Sequence, residues 1–377
     1  MVHPSAWHAG PRRVSVMCSG RLAPPDAGLF APDRHGDRDA APGLIDFAVN
    51  VQPGPPPFVM RALRDRIGDL AAYPTLDDEQ RARRAVAAAH GRVAEEVLLL
   101  DGAAEGFEVL ARLAPRHAAL VAPSFTEPER VLREAGVRCS PVVLGAPWRL
   151  AGAAVPEDAD LVVVGNPTNP TSVLHSREEI LALRRPGRIV VVDEAFADLT
   201  RDPATGTREP QSLAAELPED VVVIRSITKT FGLAGLRAGY LLAAPEVIGR
   251  LSAGRRHWPL GTLALAALAE CLGAEGERYA AALAERIADD RARLTALLDD
   301  AGIEVAAAAA APYVLVRVPD GLAMKAALAE RGFGVRSCAN FTGLGPEYLR
   351  LAVRSADPAA RLVQAMQDVL DTRRSST

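Results

Sequence analysis

The sequence SITKTFGLAGLR, residues Ser226–Arg237, carries the strongest indication of fold and chemistry in this chain. It follows the apolar run Val221–Ile224, which is typical of a buried strand, and it precedes a second short apolar run, Tyr240–Leu242. Lys229 lies at its centre between threonine hydroxyls, with glycines and an arginine after it. A strand that ends in such a loop indicates a ligand site.

The side chains of this loop suit a ligand that is both an aldehyde and a phosphate. A lysine amine at a strand end forms a Schiff base with an aldehyde when burial or positive charge lowers its pKa. Hydroxyl groups and a guanidinium, here Ser226 and Arg237, bind a phosphate dianion. Together they indicate pyridoxal phosphate, and the alternative is an ordinary surface lysine, Lys229, in a glycine-rich loop.

The composition of the 377-residue chain, 49% hydrophobic and 24% charged, is that of a large globular protein. A net charge of −4 argues against nucleic acid or an anionic membrane as a partner. The four cysteines are scattered and no two histidines are spaced i, i+4, so we expect neither disulfides nor a metal site. Without a long apolar run or a secretory signal, we expect a cytoplasmic protein.

Short apolar runs alternate with helical patterns through most of the chain. Because these runs are apolar throughout, they predict strands covered on both faces, and hence an α/β fold with a mainly parallel sheet. Residues 303–370 repeat the alternation on a smaller scale, which predicts a second, smaller domain. The alanine run Ala306–Ala311 is expected to be a solvent-side loop or strand edge. The strand predictions are 97–100, 118–121, 142–144, 161–164, 189–192 and 221–224.

Ligands bind at the carboxyl ends of strands in such sheets, and two of these ends carry polar side chains. Asp193 follows an apolar strand, where a carboxylate is costly to bury unless it meets a partner such as a pyridinium N–H. The amide of Asn169, in the proline-rich turn 166–171, can donate to a phenolate oxygen of the cofactor ring. A helix cap or salt bridge for Asp193, and an ordinary turn asparagine, are the alternatives.

Two further strand ends carry a small-residue turn and an aromatic side chain. Gly102, Ala103 and Ala104 stand between a strand and a helix start, where backbone N–H groups can approach a phosphate. Phe125 follows another strand and can stack on a ring. Taken alone, an ordinary tight turn is the favoured explanation for residues 102–104, and core packing explains Phe125 as well as stacking does.

Taken in order, these features resemble the class I/II aminotransferases, the fold type I pyridoxal phosphate enzymes. The order is a phosphate turn, an aromatic residue, an Asn-Pro turn, an aspartate after an apolar strand, and Ser-x-Thr-Lys with an arginine eight residues later. The resemblance runs from about Leu44 to about Leu370. It implies pyridoxal 5'-phosphate as cofactor and a mainly parallel seven-stranded sheet sandwiched by helices, beside a smaller α+β domain.

The resemblance also implies roles for individual side chains. Lys229 would form the Schiff base and serve as general acid and base, Asp193 would pair with the pyridine nitrogen, and Asn169 would bond the ring oxygen O3'. Tyr73 would reach the cofactor phosphate of a partner subunit, which implies a homodimer with shared active sites. Arg350 would bind the substrate carboxylate. The other implied cofactor contacts are Ser226 and Arg237 on the phosphate, Ala103 and Ala104 at the turn, and Phe125 stacked on the ring.

One branch of the family matches in more detail. Asp193–Phe196 reads DEAF, where the family usually has tyrosine in the fourth position, and this motif resembles the cobalamin-pathway branch of threonine-phosphate decarboxylase. His35-Gly36, Val335–Leu344 and Leu349–Arg354 agree with that branch. Histidinol-phosphate aminotransferase is its nearest sister, and the enzymes of both kinds act on small amine phosphates.

Such substrates give extra arginines a purpose. Arg336, Arg350 and Arg354 would form an anion clamp, with Asn50 also binding substrate; a solvated salt-bridge pair is the alternative for Arg336 and Arg354. Two turns depart from the family pattern, and both departures concern segments expected to position the substrate. They are Gln52-Pro53-Gly54 and Ser172, which stands where the family usually has glycine.

Three functions follow from these observations. The first is decarboxylation of a phosphorylated amino acid, L-threonine-O-3-phosphate, in cobalamin biosynthesis, and the second is transamination of histidinol phosphate or a similar amine. The two reactions differ in which bond to Cα stands perpendicular to the cofactor, so decarboxylation is the leading prediction through the resemblance to that branch, and transamination is the alternative. A non-catalytic regulator is disfavoured, since only about forty residues precede Leu44 and both Asp193 and Lys229 are present.

The domain boundaries are also predicted. We expect a disordered tail at 1–22, in which Met17 is a second possible start, and an N-terminal segment at 23–54 that contributes to the small domain. The large cofactor-binding domain is expected at 55–275 and the small C-terminal domain at 276–377.

Overall fold

The computed structural model describes residues 42–374, so the predicted tail, the start at Met17 and His35-Gly36 lie outside the described part of the chain. Within these residues twelve strands form two sheets. In chain order they are β1 (Ile45–Phe47), β2 (Val97–Leu100), β3 (His117–Ala122), β4 (Arg138–Val143), β5 (Leu161–Gly165), β6 (Ile189–Asp193), β7 (Val221–Ser226), β8 (Gly239–Leu242), β9 (Glu304–Val305), β10 (Tyr313–Arg317), β11 (Phe333–Ser337) and β12 (Tyr348–Ala352).

Ten α-helices connect and cover the sheets in the same part of the chain, and none of them is both long and apolar enough to cross a bilayer. The helix α8 is the longest, with 27 residues. The helices are α1 (Pro57–Asp65), α2 (Leu76–Ala89), α3 (Ala103–Val109), α4 (Glu127–Glu134), α5 (Arg177–Leu181), α6 (Pro245–Ser252), α7 (Thr262–Cys271), α8 (Ala274–Asp300), α9 (Gly321–Glu330) and α10 (Ala356–Arg374).

The large sheet has seven strands in the order β2-β8-β7-β6-β5-β3-β4. All neighbouring pairs are parallel except the two that include β8, which runs antiparallel to β2 and β7. Alternate residues of the strands enter different cores: Val162 and Val164 of β5 pack on one face, whereas Leu161 and Val163 pack on the other. Burial on both faces explains the unbroken apolar runs, and the predicted fold class is confirmed.

The small sheet has the order β1-β11-β12-β10-β9, and the first strand pairs in parallel with β11. Helices α9 and α10 and part of α8 cover it, around a separate core that contains Phe47, Val316 and Leu362. Thus the N-terminal β1 shares a sheet with strands near the other end of the chain. The numerical domain boundaries remain predictions.

The alanine run 306–311 continues from β9 as a loop, but the prediction of a solvent-side position is only partly correct. Ala308 is exposed, whereas Ala307 and Ala311 are buried. The loop is covered because its last residues contact the turn after β5 and helix α8. We refer to residues 306–311 as the strap.

Candidate active site

Asp193 and Lys229 lie at the carboxyl ends of neighbouring strands. Asp193 ends β6, and Lys229 follows Ser226, the last residue of β7. Burial raises the pKa of Asp193 to about 6, because removal from water disfavours the charged form of the carboxyl. Two contacts lower the same pKa: the Ala195 amide donates to Oδ1 at 3.0 Å, and Lys229 carries a positive charge. A carboxylate at this strand end is therefore held in a place where an additional positive partner would stabilise it.

This arrangement fits the pyridine ring of pyridoxal phosphate. A protonated ring nitrogen is a partner that stabilises a desolvated carboxylate, and the hydrogen bond from the Ala195 amide goes to one of the two Asp193 oxygens, Oδ1. The lysine needed for the aldehyde lies close enough to affect the Asp193 carboxyl electrostatically. The residues present therefore fit the cofactor.

The turn after β5, which carries Asn169, is closed by a side chain within the turn. Asn166 donates from Nδ2 to the His175 carbonyl at 3.2 Å and accepts from the His175 amide at 2.8 Å, which closes the turn. Asn169 accepts on Oδ1 from Arg350 Nη1 at 2.6 Å. Because the amide oxygen is used in this way, the amide N–H₂ of Asn169 is the group that can donate to a ligand.

The residues predicted for the phosphate meet at the start of α3. A Cβ at Gly102 would lie 2.5 Å from Arg237 Nη2, so the guanidinium rests directly on this glycine, whose φ is +76°. A Cβ at Gly239 would lie 2.9 Å from the Ala103 amide nitrogen. Both positions require glycine, and they bring Arg237 and the first amides of α3, at Ala103 and Ala104, to one place. Ser226, at the neighbouring strand end, accepts on Oγ from the Thr228 amide at 3.1 Å.

The segment that departs from the family pattern near Gln52 packs on the lysine loop. The Gln52 amide donates to the Lys229 carbonyl at 3.1 Å. A Cβ at Gly232, where φ is +64°, would lie 2.5 Å from the carbonyl carbon of Gly54. The two loops thus touch through their backbones, and the unusual sequence 52–54 lies beside the loop that carries Lys229.

Two aromatic residues predicted from the sequence have contrasting surroundings. Phe125 is half-buried and its ring centroid lies 6.3 Å from that of Phe107, within the core on one face of the large sheet. Tyr73 is 73% exposed and stacks on Trp258 with a centroid distance of 4.3 Å. The position of Phe125 is compatible with core packing as well as with stacking on a cofactor ring, and the exposed Tyr73 is accessible to a partner subunit. Both roles remain predictions.

Tyr313 is a site residue that the sequence analysis missed. It is fully buried, its hydroxyl donates to the Thr168 carbonyl at 3.2 Å, and its ring lies edge-on to Phe196 at 5.1 Å. Lys229 Nζ lies 5.9 Å from the centroid of the Phe196 ring. The available signal was a tyrosine followed by the apolar residues 314–316 of the same strand, since a buried hydroxyl requires a partner.

Arg336 and Arg350 occupy directly paired positions on β11 and β12, so their side chains project from the same face of the small sheet. Both are buried, at 3% and 5% exposure. Arg350 also contacts Asn50, whose amide oxygen accepts at 3.2 Å in the orientation that satisfies both groups. Arg336 donates to Asn340 at 2.8 Å. The structure therefore brings Arg336, Arg350, Asn50 and Asn169 together.

Arg354, the third predicted member of the anion clamp, is committed to the protein backbone. It donates to the Asp46 carbonyl at 2.8 Å and to the Val49 carbonyl at 2.7 Å, and its guanidinium lies 3.7 Å from the Asp46 carboxylate. The predicted role in substrate binding is thus not favoured for this residue. Its contacts hold the segment after β1, which carries Asn50.

A buried network of charged residues around Arg225 of β7 was also not predicted from the sequence. Arg225 donates to Glu194 and to Glu209, each at 2.8 Å, and Glu194 accepts the Ser212 hydroxyl at 2.6 Å. Asp198 accepts from the Thr230 hydroxyl, next to the lysine. An arginine and a glutamate within or beside apolar strands were the available signal, because buried charges need partners.

Residues 42–367 match the family model described as aminotransferase class I and II. The chain therefore belongs to this family, whose members depend on pyridoxal 5'-phosphate, and it is an enzyme of that type. With this result the resemblance inferred from the sequence and the cofactor prediction are confirmed.

Individual relatives are consistent with this assignment. A histidinol-phosphate aminotransferase of Mycobacterium tuberculosis H37Rv is 50% identical, covering 93% of this chain and 94% of the relative. The threonine-phosphate decarboxylase of Salmonella typhimurium is 31% identical, covering 87% and 91%. The solved histidinol-phosphate aminotransferase of Clostridium acetobutylicum superimposes with a TM-score of 0.78 at 24% identity, covering 87% of this chain and all of that chain, which shows the shared fold.

Proposed function

We propose that this protein is a transaminase for a small phosphorylated amine, of which histidinol phosphate is the leading candidate. The observation that carries the proposal is the pair Arg336 and Arg350 on facing positions of β11 and β12, joined to the cofactor turn through Asn169. Two guanidinium groups on one face favour a ligand with a doubly charged anion or two anions.

The anion requirement of a transaminase agrees with this pair. The amino donor would present a phosphate dianion, and the oxo-acid acceptor, such as 2-oxoglutarate, would present two carboxylates to the same side chains. Among the activities considered from the sequence, the relative at 50% identity supports transamination more strongly than decarboxylation. Decarboxylation, the leading prediction from the sequence, becomes the second candidate.

The cofactor, when bound, withdraws electrons from the bonds at the substrate Cα. Lys229 would be the residue that holds the cofactor aldehyde and, once substrate has displaced it, its free amine Nζ would take the proton from Cα and later return one. Asp193 would stay negatively charged against a protonated ring nitrogen. Asn169 would donate its amide hydrogen to the ring oxygen. Arg350, which donates to the Asn169 amide oxygen, fixes the orientation of that amide and would bind the substrate anion.

A specific observation keeps the second candidate in consideration. Phe196 replaces the usual family tyrosine, and the DEAF motif resembles the decarboxylase branch. The Salmonella typhimurium threonine-phosphate decarboxylase, at 31% identity, supports it too. For that reaction the bond from Cα to the carboxylate would break in place of the Cα–H bond. The carboxylate, placed by one of the two arginines, would leave as CO₂ with its bonding electrons left behind, and Cα would then be protonated.

A homodimer is part of the proposal. Five large hydrophobic residues are each more than half exposed: Ile67, Leu70, Tyr73, Leu76 and Trp258. Large apolar side chains gathered on one region of a soluble protein are typical of an interface. Tyr73 within this set would reach the cofactor phosphate of the partner subunit.

A substrate comparison with and without an oxo acid tests the function. We expect histidinol phosphate plus 2-oxoglutarate to yield glutamate, with no product when the oxo acid is omitted and none from Lys229→Ala. Threonine phosphate converted to aminopropanol phosphate and CO₂ without an oxo acid would instead establish the decarboxylase. Turnover of neither compound by the loaded wild-type enzyme would exclude both.

A further inference from the structure

Ser172 occupies a backbone conformation that disfavours any residue with a Cβ. Its φ is +65° and its side chain is fully buried in the turn after β5. Glycine adopts this conformation freely, and the related enzymes that the sequence resembles usually have glycine here. A serine at such a position calls for a compensating interaction of its hydroxyl.

The hydroxyl of Ser172 binds the end of the strap. Its Oγ accepts from the Ala311 amide at 2.8 Å and from the Ala310 amide at 3.1 Å. The Ser172 carbonyl also accepts from the Ala310 amide, at 2.9 Å. Because the strap consists of alanines, its own side chains have no polar group that could make this connection.

The opposite side of the strap is held by helix α8. Arg291 Nη1 donates to the Ala311 carbonyl at 3.3 Å. Burial lowers the pKa of Arg291 to about 10, since its guanidinium is largely removed from water. The peptide at Ala311 is thus bound on its N–H side by Ser172 and on its carbonyl side by Arg291.

These contacts belong to a closed path that returns to the site. The strap leads into β10, where Leu315 pairs with Arg350 of β12. Arg350 in turn donates to Asn169, three residues before Ser172 in the same turn. The Tyr313 hydroxyl on the Thr168 carbonyl adds a second connection between β10 and this turn.

We propose that Ser172 is a positioning residue that, through the strap and β10, sets the place of Arg350 relative to the cofactor turn and thereby tunes anion binding in the substrate site. The inference rests on the proposed function, in which Arg350 binds the substrate anion. It assigns a role to a residue that the family pattern would replace by glycine.

Ser172→Gly and Ser172→Ala test the proposal in the loaded enzyme. The glycine variant removes the hydroxyl and relieves the backbone conformation, so it should fold at least as well as the alanine variant. Exposed Ala308→Ser is the matched control, because it alters the strap without touching Ser172. Three quantities are measured: hydrogen exchange of peptides covering 306–313, the affinity for inorganic phosphate by calorimetry, and kcat and KM for the substrate identified above.

In both Ser172 variants we expect faster hydrogen exchange in the strap. The affinity for phosphate should fall, and KM should rise, by at least about fivefold because the anion site is displaced. The value of kcat should stay within about twofold of wild type because the lysine chemistry is kept. Unchanged exchange would show that the hydroxyl does not hold the strap. Faster exchange with unchanged phosphate affinity and KM would reduce Ser172 to a purely structural tie, and either result overturns the proposal while leaving the function intact. A wild-type enzyme that binds no anion would overturn both.

Discussion

Arg350 Nη1 donates to Asn169 Oδ1 at 2.6 Å, and this one contact joins the small sheet to the cofactor turn of the large sheet. The two residues are 181 positions apart in the chain. Arg350 also lies 5.4 Å from the Tyr313 ring centroid and contacts Asn50. A single guanidinium thus links residues from β12, β10, the turn after β5 and the segment after β1.

Replacement of Arg350 should therefore damage substrate binding more than cofactor binding. We expect Arg350→Ala to lower kcat/KM by roughly 10²–10³, because the loss of a buried charged partner costs about 3–4 kcal/mol. Arg350→Lys keeps the charge but loses the planar fork, so it should recover only part of the activity. Steady-state kinetics and titration with pyridoxal phosphate measure the two effects, and a variant with unchanged KM would contradict the assigned role.

The buried carboxyl of Asp198 should make the apoprotein less stable as pH rises from about 4 to about 6. Burial and the charge of Glu209 raise the pKa of Asp198 to about 6, although Arg225, Arg208 and the Thr230 hydroxyl oppose this. The folded state then holds a proton that the unfolded chain, with its ordinary carboxyl pKa, has already released. The free energy of unfolding falls through this range, and the contribution is lost above it.

Asp198→Asn removes this titration. The variant should lose less stability than wild type between pH 4.5 and 7.5, by about 2 kcal/mol for a carboxyl pKa raised from near 4 to about 6. Urea unfolding of the apoprotein at both pH values measures the difference. Exposed Asp299→Asn serves as control, and parallel behaviour of wild type and Asp198→Asn would argue against a raised pKa.

Phe196→Tyr restores the hydroxyl found in most of the family. A new donor to the ring oxygen stabilises its negative charge, so the pH midpoint of the cofactor absorbance change should move down by about one unit. The position suits the test because the Phe196 ring is buried between Tyr313 and the Lys229 amine. Phe196→Leu, which adds no donor, should not lower the midpoint, and an unmoved midpoint in the tyrosine variant would refute the explanation.

Tyr73→Phe tests the proposed shared active site. If the Tyr73 hydroxyl binds the cofactor phosphate of the partner subunit, its removal should weaken pyridoxal phosphate binding by about tenfold, as expected for one hydrogen bond to a charged group. Sedimentation should still show a dimer, because the ring that stacks on Trp258 is retained. Trp258→Phe is the control for the stack, and a monomeric wild-type protein would contradict the shared site.

Much of the fold and of the cofactor site followed from local sequence. The valine-rich runs that became β5, β6 and β7 were recognisable because strands buried on both faces are apolar at every position. Such a run is followed directly by Asp193 and within five residues by Ser226 and Lys229, which made these residues identifiable. Local patterns are sufficient for these residues, since a parallel sheet gathers the carboxyl ends of its strands at one edge.

Other residues acquired their roles only through contacts between distant parts of the chain. Arg354 was expected to bind substrate, but it holds carbonyls of a segment 305 to 308 residues away. Tyr313 and Arg225 gave no local signal strong enough to be singled out, and the strap was expected to face solvent although Ala311 is buried.

The sequence by itself determined the layered α/β fold, the family and the cofactor, because hydrophobic periodicity and the residues at strand ends are properties of short segments. Only the tertiary structure decided which arginines lie side by side on the small sheet and which contacts accompany the positive φ of Ser172. Both features depend on which backbone group a side chain contacts. Ser172 contacts a backbone amide 138 residues away, and Arg354 contacts a backbone carbonyl 308 residues away.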